Sequence, residues 1–154
     1  MIRKLQIEDV RDAGCVLAMQ IPSYMVEAEL IGFFEIPPLK DSLATLMQCG
    51  ETFYGYFIDE QLAGAISYKM ECQVLDIYRM MVHPSYFRRG IARSLIGYIE
   101  HVEDGIEKML VSTGTKNIPA KQLYASLGFV EVGEREVAEG VYVTLFEKMM
   151  RRRT

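Results

Sequence analysis

Apolar and polar positions along this chain alternate between two periods. Ile2 to Ile7 alternates residue by residue, which predicts a first strand. Thr52–Ile58 is rich in Phe and Tyr, and Leu62–Met70 and Val74–Val82 continue the strand-like pattern. Asp59-Glu60 supplies a turn between the first two, and Gly64 marks a bulge candidate. These steps predict an antiparallel meander. A helical period governs residues 9–20, about 91–103 and about 118–127. Strands follow at Lys108–Ser112, Phe129–Val137 and Val141–Met149, the last two as a hairpin turning at Gly140. The mixture reads as α+β.

Residues 20–50 give a weaker signal. Pro22-Ser23 interrupts the first helix, and Tyr24 to Ile31 forms a separate helix candidate. Pro37-Pro38 makes a loop, and Asp41 or Ser42 caps a short helix running to Met47 and ended by Gly50. A Pro-broken aromatic stretch of this kind either lines a substrate site or covers the core.

The stretch Asp76–Glu103 reads as strand, Pro-marked turn, basic Gly-containing turn and amphipathic helix. Arg88-Arg89-Gly90-Ile91-Ala92-Arg93 opens that helix. A helix start carries free N–H groups and the positive end of the helix dipole, and arginines beside it pair well with phosphate oxygens. This is a candidate pyrophosphate site. The helix at 118–127 has its own start and stop: Asn117 as cap, Pro119 in the first turn, Gly128 after the end.

Composition narrows the rest. The 154 residues suit one domain, taken as residues 1–154. A net charge of −4 argues against general nucleic-acid binding, and Arg151-Arg152-Arg153 reads as a solvated tail. Three cysteines without CxxC spacing (Cys15, Cys49, Cys72) indicate reduced thiols in a cytoplasmic protein. Two isolated histidines, His83 and His101, suggest no metal site, and no apolar run suggests a membrane span or signal peptide. The ten methionines read as core filler.

Two segments together resemble the GNAT superfamily of acyl-CoA-dependent N-acyltransferases. Met80-Met81-Val82-His83-Pro84 followed by Arg88-Arg89-Gly90-Ile91-Ala92 is similar to its "LxVxP…Q/R-x-x-G-x-G/A" segment. Asn117-Ile118-Pro119-Ala120-Lys121-Gln122-Leu123-Tyr124-Ala125-Ser126-Leu127-Gly128-Phe129 is similar to "NxxAxxLYxxxGF" at each fixed position. The resemblance covers about residues 52–149. One position departs from it: Phe87 stands where Gln or Arg is usual, and a phenyl ring cannot hydrogen-bond a phosphate.

The resemblance implies a mixed, twisted sheet of about six to seven strands flanked by helices. Two neighbouring parallel strands, Val74–Val82 and Lys108–Ser112, would splay apart around the cofactor. It also implies acetyl-CoA as donor. The backbone of Met80, Met81 and Val82 would pair with pantetheine, the turn Arg88, Arg89, Gly90, Ile91, Ala92 and Arg93 would hold the pyrophosphate, and Asn117 would touch the cofactor.

Acetyl transfer to an amine has three demands. The ammonium, of pKa about 10.4 if lysine-like, must lose a proton. The carbonyl must be polarised as it becomes an oxyanion, and the leaving thiolate benefits from a proton. The resemblance gives the acid role to Tyr124 and the base role to Asp76 acting through water; Glu71 is a nearby substitute, and an amine that arrives neutral needs no dedicated base. It gives the oxyanion to a backbone N–H near Met81 or Val82. The expected protein is thus a cytoplasmic N-acetyltransferase acting by direct transfer from acetyl-CoA to a small-molecule or peptide primary amine. It would need no metal, bind neither nucleic acid nor membrane, and could form the homodimer common among such proteins. The alternative is a catalytically weak acyl-CoA-binding regulatory module.

Overall fold

The structure is a computed structural model in which residues 1–150 are described; the Arg151–Arg153 tail lies outside the described residues. Seven strands form one sheet: β1 (Ile2–Leu5), β2 (Thr52–Ile58), β3 (Gln61–Glu71), β4 (Val74–Val82), β5 (Lys108–Gly114), β6 (Val130–Ala138) and β7 (Val141–Met149). Their spatial order is β1-β2-β3-β4-β5-β7-β6. Every pair is antiparallel except β4 with β5. The sequence-predicted fold class therefore holds.

Helices α1 (Val10–Ile31), α2 (Leu43–Met47), α3 (Ile91–Val102) and α4 (Ile118–Ser126) cover the two faces. One core lies under α3 and α4. There Ile91, Leu95, Ile96 and Ile99 line up at helical spacing against Ile66, Leu75, Ile77 and Met109 of the sheet. Each such side chain contributes about 1.5–3 kcal/mol when fully buried. The second core lies under α1 and α2, where Ala13, Val16, Met19, Tyr24 and Leu46 meet Phe53, Ala65 and Met81.

Helix α1 corrects the sequence reading. Residues 9–20 and 24–31 are not separate helices, because Pro22 lies inside one continuous helix. An interior Pro costs about 3 kcal/mol relative to Ala. Burial of Tyr24, Ala28 and Ile31 beyond it, each fixed against the sheet or its loops, offsets that cost. Gly32, in left-handed backbone at φ 70°, ends the helix. The remaining elements lie within a residue or two of expectation. Ser42 caps α2 in a capping box with Thr45, and Asp59-Glu60 turns between β2 and β3 with both residues at positive φ. The bulge on β3 falls beside Gly64, where Tyr56 faces Gly64 and Phe57 faces Leu62.

The feature that positions everything else is the short parallel pair. β4 and β5 are in register only at Val74–Lys108, Leu75–Met109 and Asp76–Leu110. Beyond these, β4 stays with β3 as far as Val82, and β5 stays with β7 as far as Gly114. The two strands therefore open into a V. A second irregularity, between Ser67 and Tyr68 of β3, leaves Tyr78 of β4 as an extra residue just past the point of the V.

Candidate active site

The second half of α1 lies over the V and touches both of its arms. On β4, the Met80 N–H donates to the Tyr24 hydroxyl and the Val82 N–H donates to the Ser23 hydroxyl, each at 3.2 Å. On β5, the Thr113 hydroxyl and the Gly114 N–H donate to one oxygen of Glu27 at 2.9 and 3.3 Å. Strand alternation explains the choice of groups. The N–H groups of Met80 and Val82 point into the gap, while Met81 faces β3 opposite Ala65 and buries its side chain under α1. The unpaired edge of β4 is therefore satisfied by hydroxyls of a neighbouring helix.

Three cavities meet at this point. A groove of about 580 Å³ runs along β4 to the start of α3, lined by Ser23, Met80, Val82, Tyr86, Phe87, Arg88–Arg93, Asn117 and Leu123. A cavity of about 480 Å³ opens on the other side, between the end of α1, the Pro37–Leu39 turn, β4, β5 and the β6–β7 hairpin. A smaller space of about 160 Å³ between them is lined by Tyr24, Glu27, Tyr78, Met80, Thr113, Asn117 and Tyr124. Tyr24 and Glu27 line all three.

The groove ends at the N-terminus of α3. Gly90, at φ 72°, is the N-cap of α3 and makes no side-chain cap, and Arg88 is also left-handed at φ 65°. The first hydrogen bond of α3 runs from the Ser94 N–H to the Gly90 carbonyl. Among the described residues, the N–H groups from Arg88 to Arg93 have no backbone partner outside that ladder. Arg89 lies over the Tyr86 ring, and Arg93 donates to the Ser126 hydroxyl at 2.8 Å, tying α3 to α4. Phe87 is exposed, and its own N–H closes the preceding turn on Pro84. It lends this site neither side chain nor backbone donor. His83 accepts the Ser85 N–H on Nδ1, the role of a turn residue.

Tyr124 is 4% exposed, its ring held between Phe129 and Phe146 with centroids 5.7 Å away on each side. Among the described residues its hydroxyl makes no hydrogen bond, and it borders the smaller space between the two cavities. Burial, and then the Glu27 charge, push its pKa well above that of a free phenol. Tyr24 is shifted the same way by burial first and Glu27 second. Asn117 caps α4 by accepting the Ala120 N–H, which leaves its amide N–H₂ toward the cavities. Asp76 occupies the last position at which β4 pairs with β5, and burial raises its pKa. It is not among the residues lining the three cavities. Glu71, at the far end of β3, lines none of the three either.

Sequence reasoning missed two parts of this arrangement. Glu27 looks like any surface carboxylate on a helix, and only the position of α1 over the V gives it meaning. Arg79 stands alone among apolar neighbours in Ile77-Tyr78-Arg79-Met80-Met81, which was a readable sign. It forms the floor of the 480 Å³ cavity. Its guanidinium donates to both oxygens of Glu51 at 2.9 and 3.2 Å, to Gln20 at 3.0 Å, and to Asp41. Ser67 adds a bond to Glu51 at 2.6 Å, and Gln20 one to Asp41 at 2.8 Å. Burial raises the Asp41 pKa, but the bonds from Arg79, Thr45 and Gln20 outweigh it and leave the carboxyl below its ordinary value.

Comparison with known proteins places the chain in a family. Residues 26–150 match the family described as Acetyltransferase (GNAT) domain. The chain belongs to the GNAT acetyltransferase family. Two solved N-acetyltransferase structures share its fold. The PaiA N-acetyltransferase of Thermoplasma acidophilum, solved with coenzyme A, aligns at TM-score 0.78 and 20% identity over 97% of this chain and 98% of that one. The ribosomal-protein-S18-alanine N-acetyltransferase of Escherichia coli aligns at 0.79 and 17% identity over 100% and 96%. A curated relative, UPF0157 protein YqkA of Bacillus subtilis, is 38% identical over 154 residues. That match takes in 99% of this GNAT chain but 45% of YqkA, so the chain spans less than half of that relative. No helix among the described residues is long and apolar enough to cross a membrane. No group of three metal-ligating side chains occurs among them.

Proposed function

We propose that this GNAT domain transfers an acetyl group from acetyl-CoA to a primary amine, directly, in a complex holding both substrates. The observation that carries the reading is the meeting of the phosphate-ready groove and the acceptor-sized cavity at the mouth of the V, with Tyr124 at their junction. In this reading the pyrophosphate lies on the N–H groups of Arg88–Arg93, with Arg88 and Arg89 adding charge and Asn117 bordering the pantetheine. The pantetheine amides pair with the gap-facing groups of Met80 and Val82. The amine attacks the thioester carbonyl, a C–N bond forms, and the oxyanion is held by the gap-facing N–H of Met80. The C–S bond then breaks, the thiolate takes the Tyr124 proton, and the second proton lost by the attacking nitrogen restores the phenol, leaving a neutral amide.

The ammonium proton goes to a carboxylate. Glu27 is favoured because it lines all three of these cavities and has one oxygen free. Asp76, raised in pKa by burial, would act through water along the V. Asp76→Asn and Glu27→Gln separate them: the variant that loses turnover by about 10²-fold or more while binding acetyl-CoA normally has lost the base. The reading itself is tested by coenzyme A release over a panel of amines. Release above the hydrolysis background supports it. Tight cofactor binding with no release for any amine would leave the regulatory binding module in its place.

Ser23 gives a further expectation. Its hydroxyl occupies the Val82 N–H that pantetheine would need. Ser23→Ala should therefore bind acetyl-CoA up to about fivefold more tightly, the equivalent of one hydrogen bond no longer displaced. Calorimetric titration reads this directly. Weaker binding would mean that the Ser23 hydroxyl contacts the cofactor itself.

A further inference from the structure

The charged groups around the 480 Å³ cavity are Glu27, Glu35, Asp41, Glu51, Arg79 and Arg135. Most of them are paired within the protein, although Arg79 alone against Asp41 and Glu51 leaves that cluster one negative charge in excess. Glu51 and Asp41 direct both their oxygens to Arg79, Ser67, Gln20 or Thr45 and have little capacity left. Glu35 pairs with Lys40 at 2.9 Å. Two charged groups have no ionic partner among the described residues. Glu27 is held by neutral donors only, the Thr113 hydroxyl and the Gly114 N–H. Arg135 of β6 has neither an ion pair nor a side-chain hydrogen bond among the described residues.

These two charges have opposite signs and stand on opposite walls, α1 and the β6–β7 hairpin. Ile31, Phe33, Val137 and Val141 line the space they share. A cavity of this size takes one small molecule or the end of a peptide. Building on the N-acetyltransferase reading, we propose that the acceptor is a primary amine that also carries a carboxylate on a largely apolar body. This is the chemistry of an amino acid or of a short peptide. The ammonium sits at Glu27, next to the thioester, and the carboxylate sits on the Arg135 fork, whose geometry fits two carboxylate oxygens. A polyamine would set its second cation against Arg135. A phosphorylated amine would bring a dianion to a single unpaired guanidinium. Both fit the charge pattern less well.

The test measures coenzyme A release by the full chain at saturating acetyl-CoA, with matched acceptor pairs. These are apolar α-amino acids, ω-amino acids and dipeptides, each beside its carboxyl-free amine, with spermidine as the dicationic arm. The carboxylated member of at least one pair should have a kcat/KM about three- to fivefold higher, a size suited to a solvent-exposed guanidinium. Whether free amino acids or dipeptides show the larger gap identifies the source of the acceptor. Arg135→Ala should bring the ratio in that pair close to one, and Arg135→Glu should turn the preference toward spermidine. Acetyl-CoA affinity of both variants verifies that they are folded. Amines acetylated with no carboxylate preference, or ratios indifferent to both substitutions, would overturn this proposal and leave the transferase reading standing. Cofactor binding without acetylation of any amine would overturn both.

Discussion

Tyr124→Phe should lower turnover about 10²- to 10³-fold while changing acetyl-CoA affinity by no more than about twofold. The substitution removes one oxygen from a ring that Phe129 and Phe146 already hold on two sides. That oxygen has no hydrogen-bond partner among the described residues, so no donor or acceptor is stranded by its loss. Thermal stability should therefore stay close to wild type. The same environment sets the pH behaviour. Burial and the Glu27 charge both disfavour the phenolate, so Tyr124 remains a proton donor through the neutral and mildly alkaline range. Activity should not fall between pH 8 and about 10 through deprotonation of this residue. A buried phenol is a weak acid, but the leaving thiolate forms in the same apolar surroundings and is made more basic by them. Steady-state kinetics, cofactor titration and a melting curve on one variant check all of this. Equal losses of turnover and affinity, or a clear drop in stability, would make Tyr124 a packing residue.

Much of this site could be read from the chain because its main parts are local. The strand Val74–Val82, the turn at Gly90 and the helix after Asn117 each have their start, stop and apolar face written in consecutive residues. The order in which they occur carried the rest. What could not be read depends on contacts between distant segments. Pro22 looked like a helix end, because the cost of an interior Pro is visible in sequence while the burial of Tyr24, Ala28 and Ile31 that outweighs it is not. With α1 broken there, Ser23, Tyr24 and Glu27 had no reason to meet β4 and β5, and the carboxylate at the centre of the cavities stayed out of view.

The same limit applies to the strand. Its period of two shows that Met80 and Val82 share a face and Met81 does not, but not which face meets the gap. The structure turns Met80 and Val82 into it and Met81 toward β3. Arg79 shows a different failure. A lone guanidinium in an apolar strand was legible as unusual, but its partners come from residues 20, 41, 51 and 67. Only the fold brings Gln20, Asp41, Glu51 and Ser67 to one point. The 480 Å³ cavity is thus built from long-range pairs, whereas the groove along β4 is built from short motifs.

Gly90→Glu should weaken acetyl-CoA binding by more than about 100-fold, and Gly90→Ala beside it shows why. A Cβ built on Gly90 meets nothing within 4 Å, so crowding inside the protein is not the reason for a glycine here. Two other terms are. The backbone is left-handed at φ 72°, which costs a residue with a Cβ about 1–2 kcal/mol. The open space in front of Gly90 is also where a pyrophosphate would approach the free N–H groups of Arg88–Arg93. Alanine introduces the strain and a single methyl, so it should lower stability by about 1 kcal/mol and affinity by about tenfold at most. Glutamate adds a negative charge at the positive end of α3, where its own carboxylate competes for the same donors and repels the phosphates. The difference between the two variants isolates the electrostatic part. That part should shrink in high salt, because Arg88, Arg89 and Gly90 are all exposed. Titrating both variants with acetyl-CoA at low and high ionic strength measures each contribution. Normal affinity in Gly90→Glu would move the phosphates away from α3, and with them the cofactor's path along β4.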